Sequence, residues 1–127
     1  MPGMYLFEYA IIRVVPRVER EEFLNVGVVV YCKDLKFLRT LYTVNKQRLS
    51  ALCDKIDCNE VEKHLQSFER ISRGETQAGP IAALDMASRF RWLTATRSTV
   101  VQTSKVHPGL CDDAEKMLLK LYQQFVL

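Results

Sequence analysis

The run Val26 to Cys32, VGVVVYC, is the feature that most restricts what this 127-residue chain can become. An almost wholly apolar stretch this short and this rich in β-branched residues predicts a central strand covered on both faces. Gly27 inside it predicts a bulge or a close approach of another backbone. A central strand needs neighbours. Tyr5 to Val15, YLFEYAIIRVV, is aromatic and β-branched and ends at Pro16, so it predicts a long strand followed by a turn. Asp34 and Leu35 make a tight connection to Lys36 to Thr43, where Phe37, Arg39 and Leu41 alternate with Leu38, Thr40 and Tyr42. Three sequential strands therefore form a meander.

The pattern then changes period. Asn45 can cap a short helix over Lys46 to Cys53, with Leu49 and Leu52 turned inward. Asp57 and Glu60 have capping-box spacing, Val61, Leu65, Phe68 and Ile71 form one apolar face, and Gly74 is a stop. Pro80 opens a third helix through Ile81, Leu84 and Ala87 towards Phe90. Ser98 to Ser104 predicts a fourth strand, Val106 to Gly109 a turn, and Asp112 with Glu115 the start of a last helix. That helix turns Met117, Leu118, Leu121, Tyr122 and Phe125 to one side.

Strands grouped before helices give the α+β class: an antiparallel sheet of about four strands with helices packed on one side. Leu65, Phe68, Leu118, Leu121 and Phe125 are expected on that one face. A hydrophobic share of 48% and a charged share of 26% fit a packed protein, and the length fits a single domain over residues 1–127.

No apolar run approaches the roughly 20 residues of a membrane-spanning helix, and Met1 to Phe7 lacks the parts of a secretory signal. A cytoplasmic location follows as an expectation. Cys32, Cys53, Cys58 and Cys111 are then expected as free thiols. Cys53 and Cys58 have a spacing compatible with a zinc knuckle, but no second ligand pair accompanies them, so no metal and no cofactor is expected. The net charge of +3 is mild beside the basic stripes of nucleic-acid binders, which makes nucleic acid a weak third choice of partner.

Walker, GxGxxG, HExxH, GxSxG and CxxC motifs are all absent. Two polar segments stand out instead. In RVVPRVEREEFLNVGVVVY, Arg13 shares a strand face with Tyr9, Ile11 and Val15, so its guanidinium either pairs with Glu8, Glu21 or Glu22 or meets an external anion. Arg17 and Arg20 follow in the turn, where an arginine fork suits carboxylate or phosphate. Asn25 at the start of a buried strand is expected to satisfy backbone groups in the preceding turn.

In RFRWLTATRSTVVQTSKVHPG, Arg89, Arg91 and Arg97 surround Trp92, an arrangement that stacks bases or simply packs a guanidinium on indole. Ser98, Gln102 and His107 follow. His107 is either a general base or a turn histidine bonded to backbone.

The stretches YAIIRVVPRVEREEFLNVGVVVY, RFRWLTATRS and HPGL resemble a bacterial family known as domain of unknown function 3037, across nearly the whole chain. Its pattern maps onto Arg13, Pro16, Arg17, Arg20, Glu22, Asn25, Gly27, Arg91, Arg97, Ser98, Gln102 and His107. Glu21 stands where the family prefers glycine and Thr96 where it prefers proline, departures that bear on turn geometry. The resemblance names no reaction. It implies an accessory or regulatory role beside a partner such as a kinase resembling the toxin kinase HipA.

Three readings result. The first is a protein-binding module. The second is a small enzyme or binding protein for a phosphorylated or nucleotide ligand. The third is a nucleic-acid-binding domain using Arg91, Trp92 and Arg97. Under the first two, the candidate anion- or partner-binding residues are Arg13, Arg17, Arg20, Glu22, Arg97, Ser98, Gln102 and His107, expected to converge in space.

Overall fold

The computed structural model describes residues 3–95 and 99–127. Strand β1 (Tyr5–Val14) runs antiparallel to β2 (Leu24–Cys32), and β2 pairs in turn with β3 (Phe37–Tyr42). The other edge of β1 is shared by two short antiparallel strands. β4 (Val101–Thr103) takes its C-terminal part and β5 (His107–Cys111) its N-terminal part.

The meander is as the alternation predicts, and Gly27 fulfils both expectations placed on it. The β1–β2 register passes from Ile12 opposite Gly27 to Arg13 opposite Asn25, so Val26 is the extra residue of a bulge. A Cβ added at Gly27 would lie 2.6 Å from the Leu41 carbonyl oxygen and 3.0 Å from Tyr42 Cβ. Only glycine lets β3 come that close.

The second edge differs from expectation. The fourth strand is three residues long, and the expected turn at Val106 to Gly109 is largely strand β5. Ser104 bridges the two: its N–H donates to the Ile11 carbonyl at 2.8 Å, and its Oγ accepts from the Ile11 N–H at 2.9 Å. A side chain thus completes the ladder where the backbone turns away. Proline is tolerated in β5 because an edge strand leaves one side of its backbone unpaired.

Among the described residues, four α-helices follow from their caps: α1 (Lys46–Leu52), α2 (Cys58–Arg73), α3 (Met86–Leu93) and α4 (Ala114–Phe125). Asn45 Oδ1 accepts from the Arg48 N–H at 3.0 Å, and Asp57 Oδ1 accepts from the Asn59 and Glu60 N–H groups. Gly74 closes α2 in the left-handed conformation. The third predicted helix is broken. Pro80–Ala83 is a 3-10 turn, Leu84 is extended, and Asp85 caps α3 by accepting from the Ser88 N–H at 2.7 Å. Helix α4 is capped by Asp113 rather than Asp112, its Oδ1 accepting from the Lys116 N–H.

The α+β class and the antiparallel sheet stand, but the helices do not all share one side. Ala10, Ile12, Val14, Val26, Val29 and Tyr31 pack with Val61, Leu65 and Phe68 of α2 and Phe90 and Leu93 of α3. Phe7, Ile11, Val28, Val30 and Cys32 pack with Leu118 and Leu121 of α4 on the opposite face. Leu65 and Phe68 therefore do not share a layer with Leu118 and Leu121. The cause lies in β2 itself: alternate residues along Val26 to Cys32 are apolar and buried on both faces, and each face takes its own cover. Among the described residues, no helix is long and apolar enough to cross a membrane.

Candidate functional site

Arg13 sits where its strand position predicts, on the α4 side of β1. Asn25 of β2 and Gln102 of β4 stand directly opposite it in the ladder, so the three form one row across the sheet. The Arg13 guanidinium carbon lies 4.1 Å from the centroid of the Phe23 ring, two residues before Asn25. Among the described residues no carboxylate is within ion-pair distance of Arg13, and its Nε is buried without a hydrogen-bond partner. Burial lowers the Arg13 pKa from its ordinary value, because the half-covered guanidinium has lost hydration without gaining an anion.

Asn25 has a structural task, at the end of α4 and not in the preceding turn expected of it. Its Nδ2 donates to the Phe125 carbonyl at 3.2 Å, and Arg48 Nη1 donates to the Val126 carbonyl, also at 3.2 Å. Two of the carbonyls that a helix end leaves free are thereby satisfied by residues far away in sequence. Asn25 Oδ1, like Arg13 Nε, is buried without a hydrogen-bond partner.

His107 of β5 pairs with Tyr9, and the two rings lie 5.4 Å apart. Tyr9 in turn stacks with Phe125 at 6.4 Å and with Phe7 at 5.9 Å. Tyr9 and Arg13 are four residues apart on one strand face, roughly 13 Å at the usual rise per residue. The result is an open surface in which a cation and His107 are set among aromatic rings, with Phe23 46% exposed and His107 exposed. His107 belongs to a strand, not to the turn expected of it.

Arg17, Arg20 and Glu22 lie elsewhere. Arg20 pairs with Glu22, and all three residues line a cleft of about 410 Å³ against Ser50 to Asp54. An adjoining hollow of about 500 Å³ shares Pro16, Arg17 and Cys53 and reaches Thr99 and Val100. The two polar segments do meet: β1 pairs with β4 and β5, and the Val15 N–H donates to the Val100 carbonyl at 2.7 Å. The candidate residues nevertheless divide between the sheet face, with Arg13, Gln102 and His107, and the cleft, with Arg17, Arg20 and Glu22. Arg97 and Ser98 lie outside the described residues.

Arg89 has a role that sequence reading missed. It is buried, its Nη1 donates to the Ile71 and Ser72 carbonyls at 3.0 and 2.9 Å, and its Nε donates to the Leu84 carbonyl at 3.1 Å. This guanidinium ties the end of α2 to α3. The available signal was positional, since Arg89 is four residues before Leu93 and adjacent to Phe90 on the inward side of α3. Arg91 is exposed and bonds Ser88 Oγ through Nη2 at 3.3 Å.

Cys32 and Cys111 are buried and Cys53 and Cys58 half-buried, all as free thiols. Among the described residues no group of three or more His, Cys, Asp or Glu side chains could hold a metal ion.

No curated protein and no solved structure matches the chain. Residues 9–126 match a family described as protein of unknown function, DUF3037, and that span covers both the sheet face and the cleft. The chain belongs to this family.

Proposed function

We propose that the chain is a protein-binding module whose sheet face, centred on Arg13, docks an acidic segment of a partner that also carries apolar side chains. The observation behind this reading is the guanidinium itself: half-buried on the Phe23 ring, with no carboxylate of the described residues within ion-pair distance and a buried Nε left unpaired. A guanidinium held partly out of water has lost part of its hydration, and a partner carboxylate would restore the lost electrostatic stabilisation.

The surrounding rings of Phe23, Tyr9, Phe125 and His107 offer contact area of the kind found in interface hot spots. An open face of this sort suits a protein segment better than a small molecule, which needs enclosure on several sides. A kinase resembling HipA is the first partner to test, because the family resemblance brings that class into view.

The test is capture from the native cell followed by reconstitution with the purified partner. Arg13→Ala should weaken binding at least about tenfold, and wild-type affinity should fall with salt. Arg70→Ala, at a surface ion pair, should leave binding unchanged. A partner that binds Arg13→Ala as tightly as wild type removes the sheet face from the proposal.

A further inference from the structure

The cleft described above has a charge arrangement independent of the sheet face. Its two hollows, about 410 and 500 Å³, meet at Pro16, Arg17 and Cys53. Several charged groups in the lining are already committed. Glu22 holds Arg20, and Asp57 spends its Oδ1 on the first N–H groups of α2.

What is left is two cations, Arg17 and Lys55, and two anions, Asp54 and Glu60, with His64 on the same wall as Glu60. None of these cations lies within ion-pair distance of either anion, although all four groups line one continuous depression. All four groups are exposed, so each is accessible to a ligand group of opposite charge. The second hollow also has an apolar wall formed by Ile56, Val61 and Val100.

We infer that this cleft binds a small zwitterion of the amino-acid type, with its carboxylate at Arg17, its ammonium at Asp54 or Glu60, and an apolar side chain against Ile56, Val61 and Val100. A simple anion such as phosphate gains Arg17 and Lys55 but must also face Asp54 and Glu60. A simple amine meets the reverse. Only a ligand carrying both signs gains from both pairs, and an arginine fork matches a carboxylate with two parallel hydrogen bonds. The combined volume is in the range of small-molecule sites.

The experiment uses the full chain, isotope-labelled, with backbone amide shifts followed during titration. Glycine, leucine and phenylalanine are the zwitterionic probes; N-acetyl-leucine lacks the ammonium, leucinamide lacks the carboxylate, and orthophosphate carries only negative charge. Leucine or phenylalanine should bind saturably and shift the Cys53, Thr99 and Val100 amides. Glycine, N-acetyl-leucine, leucinamide and orthophosphate should each bind at least about tenfold more weakly, one lost charged contact or apolar wall apiece.

Arg17→Ala should weaken leucine by at least about tenfold and leave leucinamide unchanged, while Arg13→Ala should leave every probe unchanged. Circular dichroism confirms that the variants are folded. Absence of saturable binding by all three amino acids overturns the inference. So does leucinamide or orthophosphate binding as tightly as leucine, or Arg17→Ala matching wild type. Because partner docking is read with Arg13→Ala and the zwitterion with Arg17→Ala, either proposal can fail alone.

Discussion

Arg13 and Asn25 stand opposite each other in the β1–β2 ladder, and each has a buried polar atom, Nε and Oδ1, without a partner. Asn25 is held away by its bond to the Phe125 carbonyl at the end of α4. An unsatisfied buried donor costs about 1–3 kcal/mol, so Arg13 is expected to weaken the fold it belongs to. Arg13→Met keeps an unbranched side chain of similar reach beside Phe23 and removes the charge. Its urea midpoint should equal or exceed that of wild type, with the slope unchanged. A midpoint lowered by an amount worth more than about 1 kcal/mol would show that the guanidinium stabilises the free protein.

Arg89 makes the opposite case. Its three hydrogen bonds to the Ile71, Ser72 and Leu84 carbonyls are made in the buried region between α2 and α3. Arg89→Met strands the Ser72 and Leu84 carbonyls, while the Ile71 carbonyl keeps the Gly74 N–H, and the expected loss is about 2–4 kcal/mol. Arg89→Lys should recover only part of it, because one ammonium cannot span the three acceptors as a planar fork does. Equal stability of Arg89→Met and wild type in chemical denaturation would remove Arg89 from the α2–α3 junction.

The contrast between these arginines shows where sequence reading reached and where it stopped. Helix caps and apolar periodicity are local, so Asn45, Asp57 and the Val61, Leu65, Phe68 and Ile71 face were legible. The two-sided covering was also legible in Val26 to Cys32, yet the order of elements led to helices on one side. Pairings at long separation were not legible: Asn25 with the Phe125 carbonyl spans 100 residues, and the split of Arg13 from Arg17 and Arg20 depends on which side each takes at the end of β1. A strand holding Pro108 and Gly109 read as a turn because its stability comes from β1 and from Phe7, which lies over the Gly109 backbone.

Glu21 tests a local feature that was legible. It stands where the family resemblance implies glycine, and it adopts φ 55°, in the left-handed region that disfavours a Cβ. Glu21 lies in the connection between β1 and β2 and forms no ion pair among the described residues. Glu21→Gly should therefore stabilise by about 0.5–1 kcal/mol, the relief of strain being offset in part by the extra freedom of glycine when unfolded. A lower thermal midpoint for Glu21→Gly would mean that the acidic side chain contributes more than its backbone costs.

The two-layer arrangement predicts how core truncations combine. Leu65 packs under α2 on one face and Leu121 under α4 on the other, both buried. Each Leu→Ala change should cost about 2–5 kcal/mol through lost burial and the cavity left behind. Separated by the sheet, the two losses should add to within about 0.5 kcal/mol. A coupling above about 1 kcal/mol in the double-mutant cycle would place both leucines in one continuous core.

Alkaline pH should expose the burial of three acidic groups. Burial raises the pKa of the Cys111 thiol above 9.0, with nearby Cys32 adding to it, and burial raises the Tyr31 and Tyr42 hydroxyls above 10.0, helped by Glu8 and Glu69 respectively. In each case the unfolded chain loses its proton first as pH rises, while the folded chain keeps it, so ionisation pulls the equilibrium towards the unfolded state. The stabilisation is complete below 9.0 for the thiol and below 10.0 for the hydroxyls, and it is lost progressively as pH climbs through the raised folded values. Urea midpoints measured from about pH 8 to about pH 11 should therefore fall steadily. Tyr31→Phe keeps the ring against Phe90 and deletes the ionising group, so its curve should be flatter than that of wild type over the upper part of the range. Parallel curves for the two proteins would mean that Tyr31 ionises as readily in the folded chain as in the unfolded one.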